Sequence, residues 1–245
     1  MRLAWFSPLP PMQSGIAAYS HELVPILARS HEIEVFISAD DTSQALQATY
    51  HQILKVKAVR PSRDFLSFHQ RHPFDLIVYQ LGNARCHDCV WAYVTRFPGL
   101  VVLHETVLHH ARAAQLLRDD RVNEYRAELL YDQPELQVGA SELAVSGTPS
   151  ELYYEWPLVR PVIETARLSV VHNSYVADDL RHRYPGCRVD VVRMGVSDPL
   201  HGLTLTRAER REIVFVTFGL VTPEKQIPAI LRAFKKIGSD IPARL

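Results

Sequence analysis

The chain is poor in the residues that cross-link or anchor a protein. Its three cysteines, Cys86, Cys89 and Cys187 among 245 residues, are too few for a disulfide framework and fit a reducing compartment. No stretch approaches the ~18 consecutive apolar residues that a membrane-spanning helix needs. The opening Met1-Arg2-Leu3-Ala4-Trp5-Phe6-Ser7-Pro8 has four apolar residues after its Arg before Ser and Pro interrupt them, far short of a secretory signal. The expected location is therefore cytoplasmic, with any membrane contact peripheral and at the inner face. Charge of neither sign is in excess: Lys plus Arg and Asp plus Glu both total 27. Nothing global draws such a protein to nucleic acid or to an anionic membrane. A glycine-rich G-x-G-x-x-G loop is also lacking, which argues against a nicotinamide dinucleotide.

What is present suits a globular protein of one to two domains, with 47% apolar and 22% charged residues. Short apolar or β-branched runs alternate with helical periodicity, the pattern of an α/β fold in which a parallel sheet carries helices on both faces. Strands are expected at Arg2–Phe6, Glu32–Ile37, Gln52–Ala58, Asp75–Tyr79, Leu100–Leu103, Leu168–His172, Asp190–Met194 and Ile213–Phe218. Continuous apolar runs such as Leu100-Val101-Val102-Leu103 mark central strands buried on both faces. Ile16, Tyr19, Leu23, Ile26 and Leu27 recur at helical spacing after Ser14-Gly15, with Pro25 expected to bend that helix or mark a boundary. Residues 105–166 read as a helical insertion over Ala111–Leu130, Pro134–Leu143 and Leu152–Ile163. An insertion of that size is expected to face substrate. The turn-rich Ser197-Asp198-Pro199 stretch precedes a new strand and an amphipathic helix over 226–237, which divides the chain into 1–205 and 206–245.

Several motifs carry chemical suggestions that spacing then limits. Cys86-His87-Asp88-Cys89 could bind zinc or cycle as a dithiol, but no second pair completes a four-ligand site. His104-Glu105-Thr106-Val107-Leu108-His109 resembles a zinc-protease motif until the histidines are counted five apart rather than four, which puts them on different helix faces. No metal site is expected. His104 instead directly follows a buried strand, at the end where open α/β sheets bind ligands; a surface histidine is the plainer alternative, with twelve in the chain. Gly15 opens a helix after a strand and leaves room for an anion at the helix N-terminus, although a glycine before a helix is also an ordinary turn. Gly219 and Lys225 repeat the strand–loop–helix arrangement, with Lys225 able to meet a diphosphate or simply to face water.

In order and spacing, these segments resemble a family 4 retaining glycosyltransferase of the GT-B type. The resemblance rests on Trp5-Phe6-Ser7-Pro8 with Ser14-Gly15-Ile16-Ala17, on Tyr79-Gln80-Leu81-Gly82-Asn83 with His87, and on Pro98-Gly99 through His104-Glu105. It continues in Val170-Val171-His172-Asn173-Ser174, Tyr184-Pro185-Gly186, Val191 to Val196, and Phe218-Gly219 with Lys225. It implies two Rossmann-like domains, the first on the acceptor side and the second binding a nucleotide-sugar. On that resemblance His104 is the catalytic residue, Gly15, Gly219 and Lys225 bind the donor, and Asn83, His87 and Glu105 lie on the acceptor side. The nucleotide-sugar is a co-substrate and no metal or other cofactor is implied; a fixed ammonium would stabilise the departing diphosphate. The acceptor is a saccharide or a lipid-linked compound, and no nucleic-acid partner is implied.

The chain departs from the family pattern in two places. Leu220 stands where many relatives have Arg, and no Glu-x7-Glu segment follows the helix over 226–237. Residues 206–245 are thus expected to be the first β-α unit of an incomplete donor domain. The chain would then be the front half of an enzyme, without turnover by itself and inclined to self-associate through exposed apolar surface. The competing reading is a non-catalytic acceptor-binding or scaffold module that docks on a separate donor-domain protein.

Overall fold

A computed structural model of the chain describes residues 1–38, 50, 53–136, 138–147, 152–195, 202, 213–218, 221, 225–237 and 241–244. The chain divides into two compact units, Met1–Ser197 and Asp198–Leu245.

In the first unit seven strands form one sheet: β1 (Arg2–Phe6), β2 (Glu32–Ile37), β3 (Ala58–Pro61), β4 (Leu76–Leu81), β5 (Leu100–Leu103), β6 (Leu168–Val171) and β7 (Val189–Val191). Their spatial order is β3-β2-β1-β4-β5-β6-β7 and every pairing is parallel. This is the doubly wound, Rossmann-like α/β arrangement expected from the alternating pattern. Strand order reverses between β1 and β4, and such sheets leave a crevice at the reversal, beyond the carboxyl ends of the strands.

Alternation along each strand feeds two separate cores. Ala4 and Phe6 of β1 join Ile77, Tyr79 and Leu81 of β4 on one face. Leu3 and Trp5 join Val35, Ile37, Val78 and Val102 on the other. The first core is aromatic at its centre, where the Phe6 ring lies 5.0 to 5.1 Å from those of Phe65, Phe36 and Tyr79. Helix α1 (Gly15–Leu27) starts on an Ser14 cap whose side chain accepts from the Ile16 N–H, and it continues through Pro25 into its last turn. The proline neither starts nor stops the helix, because so near the end few hydrogen bonds remain to lose.

Three expectations need correction. Ile53 and Leu54 are helical, and the strand expected over Gln52–Ala58 instead runs Ala58–Pro61; apolar Leu54 and Val56 are buried beside β2 rather than within the sheet. After α2 (Phe65–Arg71) and α3 (Asp88–Trp91), the single helix expected over Ala111–Leu130 is two, α4 (His109–Arg118) and α5 (Val122–Asp132), broken where Asp120 takes a left-handed backbone with φ 55 that interrupts a right-handed helix. Among the described residues, the strand expected over Ile213–Phe218 pairs through Ile213–Val214 alone, with a partner strand, Ala243–Arg244, unnoticed in the sequence.

The insertion is helical as expected. Beyond α4 and α5 it contains Val138–Val145, Leu152–Glu155 and Arg160–Thr165. It has its own small core of Leu116, Tyr125, Leu129 and Leu158. His109 ties the layer together, its Nε2 lying 2.7 Å from the Tyr125 hydroxyl and its Nδ1 donating 2.5 Å to the Trp156 carbonyl. In the second unit the helix Ile227–Lys235 has no buried residue among those described, and Phe234 meets Phe215 at 5.8 Å.

Candidate functional site

The carboxyl ends of β4, β5 and β6 hold a chain of polar side chains. Gln80 is completely buried in β4 between Tyr79 and Leu81. Its Oε1 lies 2.8 Å from Nε2 of His104, which follows β5. Nδ1 of His104 lies 3.2 Å from Nε2 of His172, which follows β6, and Nδ1 of His172 lies 2.9 Å from the Val192 carbonyl. Tyr19 of α1 sets its ring edge-on to both imidazoles, at 5.1 and 5.7 Å.

On the other side of Gln80, Nδ1 of His87 donates to the Gln80 backbone carbonyl at 3.0 Å. His87 Nε2 and Gln80 Nε2 are buried without a hydrogen-bond partner. Burial presses the imidazolium form out of both rings. His87 is pushed down to about 4 by desolvation against the opposing Gln80 hydrogen bond. His104 is likewise pushed down to about 4 by desolvation, with His172 and His87 adding to it. Both rings are neutral at neutral pH.

The residues expected on the acceptor side divide into three kinds. Asn83 is committed to the insertion: its Oδ1 accepts from the Ala111 N–H at 2.8 Å, inside the first turn of α4, and its Nδ2 lies 3.3 Å from His110 Nδ1. His87 is turned inward, as described. Glu105 is exposed and, among the described residues, has no hydrogen-bond or salt-bridge partner. Gly15 occupies the first turn of α1, and a Cβ added there meets nothing within 4 Å. Packing within the chain therefore gives no reason for glycine at that position. Lys225 belongs to the second unit, where it is exposed just ahead of the helix Ile227–Lys235; Gly219 lies outside the described residues.

Sequence reading assigned no role to Gln80, His172 or Tyr19. A usable signal existed for the first, since a glutamine inside Leu76-Ile77-Val78-Tyr79-Gln80-Leu81 is a buried polar group that needs a partner.

A crevice of about 780 Å³ lies at the strand-order reversal, lined by Met12, Gln13 and Ser14 after β1, Ser38 after β2 and the Ala84–Cys89 segment after β4. Its far wall is the end of α4, where Arg118 binds Asp88 at 2.9 Å and Asp119 at 3.2 Å. Cys86 and Cys89 line this crevice; among the described residues no group of three or more His, Cys, Asp or Glu is arranged to hold a metal ion. Burial pushes the Cys89 thiol up to about 12, against a hydrogen bond from Ser62, so it is not a thiolate nucleophile at neutral pH. Among the described residues no helix is long and apolar enough to cross a membrane.

No family model matches the chain, and no curated protein matches it. Among solved structures, it is similar to one described as the glycotransferase of kitacinnamycin, at 14% identity and a TM-score of 0.45, over 100% of this chain and 67% of that one. At that level the likeness bears on neither activity nor substrate.

Proposed function

We propose that the protein serves glycosyl transfer, with retention, from a nucleotide-sugar to an acceptor hydroxyl. The observation that carries this reading is a convergence. Gly15, Gln80, His104 and His172 come from four segments that carry the family resemblance, and all stand at the carboxyl edge of one parallel sheet, three of them in a single hydrogen-bonded chain. That is the edge where a doubly wound sheet takes its ligands.

In this reading the open first turn of α1, with the absent Cβ of Gly15, receives the donor diphosphate at the helix N-terminus. The neutral His104 faces the donor sugar or the acceptor hydroxyl. Charge developing on the departing nucleoside diphosphate is met by fixed donors rather than by a metal; the part of Lys225 in this is carried by the resemblance alone. One observation favours the second reading, a non-catalytic binding module: both ring nitrogens of His104 are engaged within the chain.

Thermal unfolding with uridine, guanosine, thymidine and adenosine diphosphates tests the first reading, because a ligand that binds only the folded state raises the unfolding temperature. One of the four is expected to stabilise the wild type and to stabilise Gly15→Ala less. No shift with any of them overturns the donor assignment.

A further inference from the structure

The crevice at the strand-order reversal has a definite chemical character. Its four charged lining residues are Arg85, Arg118, Asp88 and Asp119, so the cations are offset one for one. Arg118 is spent on the two carboxylates. Arg85 is exposed and, among the described residues, has no hydrogen-bond or salt-bridge partner. Gln13 and Ser38 line the space with an amide and a hydroxyl, groups that can each donate and accept. Met12 and Ala92 add apolar surface.

A phosphate or carboxylate ligand brings acceptors and negative charge. Here it would meet Arg85 but also the oxygens of Asp88 and Asp119, which repel it. A hydroxyl donates to a carboxylate and accepts from a guanidinium or an amide, so it can use every group in the lining. Sugar rings combine such hydroxyls with an apolar face, and the volume lies within the usual range for small-molecule pockets.

We infer that this crevice binds an uncharged, polyhydroxylated small molecule with an apolar face, such as a glycoside, and not a phosphorylated or lipid-phosphate compound. Calling that molecule the acceptor rests on the glycosyl-transfer reading; the binding chemistry does not. The apolar groups take up one face of the ring while Gln13, Ser38, Arg85 and the carboxylates engage its hydroxyls.

The test is equilibrium binding to the full chain, with no donor present, of para-nitrophenyl glucoside, octyl glucoside and glucose phosphate, together with sedimentation on phosphatidylglycerol vesicles. A glucoside should bind saturably below about 10 mM, with glucose phosphate at least about tenfold weaker. Ala92→Trp places an indole in the crevice from an exposed position and should abolish glucoside binding while the near-ultraviolet circular dichroism stays that of a folded chain. Asp88→Asn should narrow the gap between glucoside and glucose phosphate. Tighter binding of the phosphate, vesicle binding lost in Ala92→Trp, or no saturable glucoside binding to the folded wild type overturns the inference. If glucoside binds but is not glycosylated by any form of the enzyme that turns over a nucleotide-sugar, its assignment as the acceptor fails while the inference stands.

Discussion

His172 Nε2 lies 3.2 Å from His104 Nδ1, a contact between rings 68 residues apart at the ends of adjacent parallel strands. It couples the protons of the two rings. The Val192 carbonyl can only accept, so His172 donates from Nδ1. When His172 Nε2 accepts, the neutral His104 donates to it from Nδ1 and carries a lone pair at its own Nε2. The Gln80 side chain satisfies that lone pair when its NH₂ end faces the ring, and the exchange of amide ends also gives a partner to the otherwise orphaned Gln80 nitrogen.

The first prediction follows directly. Long-range proton–nitrogen correlation spectra at neutral pH should find His104 singly protonated, on Nδ1. A doubly protonated His104 would refute the assignment and make the ring a hydrogen-bond donor to Gln80 Oε1.

The same chain separates two ways in which His104 could matter. Acting on substrate, its removal in His104→Ala should lower kcat by about a hundredfold with donor KM little changed, while His172→Ala, which only orients the ring, should cost about tenfold. Lys225→Ala should instead raise the donor KM. These constants are to be read in any form of the enzyme that turns over; equal losses in the two histidine variants would make His104 a structural residue.

Three histidines give the fold an acid limit. Burial holds His87, His104 and His109 down to about 4, whereas in the unfolded chain they titrate near 6.5. Between those values the unfolded state binds more protons, so stability is complete above about pH 6.5 and falls as pH drops toward 4. The loss cannot exceed about 1.4 kcal/mol per pH unit for each group. Denaturant midpoints measured from pH 7 to 4.5 should decline, and His87→Gln should make the decline shallower. A flat profile would mean that the rings are protonated in the native state. Glu34, held low by its two arginines against the opposing cost of burial, loses its contribution only at lower pH, below the ordinary carboxylate value.

Much of this architecture was legible before the structure. Short apolar or β-branched runs located β1, β2 and β5 with their observed limits, and the continuous run of β5 marked a strand buried on both faces. β3 lies further along the chain than the apolar pattern suggested because Leu54 and Val56 are buried beside β2 without joining the sheet, and burial alone does not distinguish a strand from a segment that covers one. The site was harder. His104 stood out by position, yet its partners Gln80 and His172 belong to strands 24 and 68 residues away in sequence. Only the pairing of β4, β5 and β6 brings them together. Asn83 and His87 were assigned to the acceptor side by the family resemblance, and a motif could not tell that one ties down a helix and the other faces the interior.

Away from the site, Glu34 is a carboxylate with a 1% exposed side chain, bound by Arg2 at 2.6 Å and Arg60 at 2.7 Å. The two guanidinium groups stack over Phe74 and Phe68 at 3.9 and 3.8 Å. Removing one member of such a cluster leaves uncompensated buried charge. Glu34→Ala should therefore cost about 3–5 kcal/mol, against less than about 1 kcal/mol for Glu32→Ala, whose ion pairs with Lys57 and Arg2 are exposed. Chemical denaturation of both variants distinguishes them, and equal costs would contradict the burial of Glu34.

Three glycines give the most discriminating series, because each would meet a different neighbour if given a Cβ. At Gly99 the added carbon falls 2.3 Å from the Ile77 carbonyl oxygen, a backbone atom that cannot move without disturbing β4. At Gly82 it falls 2.5 Å from Ile16 Cδ1, the far end of a flexible side chain, and 3.2 Å from His87 Nε2. At Gly15 nothing lies within 4 Å. Gly99→Ala should thus be the most destabilising, by more than about 3 kcal/mol, and Gly82→Ala should cost about 1–3 kcal/mol. Gly15→Ala should be neutral or stabilising by about 0.4–1 kcal/mol, since it reduces the freedom of the unfolded chain at a helical position. If the open turn of α1 receives a diphosphate, that same stable variant should bind nucleoside diphosphate at least about tenfold more weakly, because the new methyl group occupies the approach to the backbone N–H groups. Undiminished affinity in Gly15→Ala would remove the diphosphate from this turn, whatever the stability measurements show.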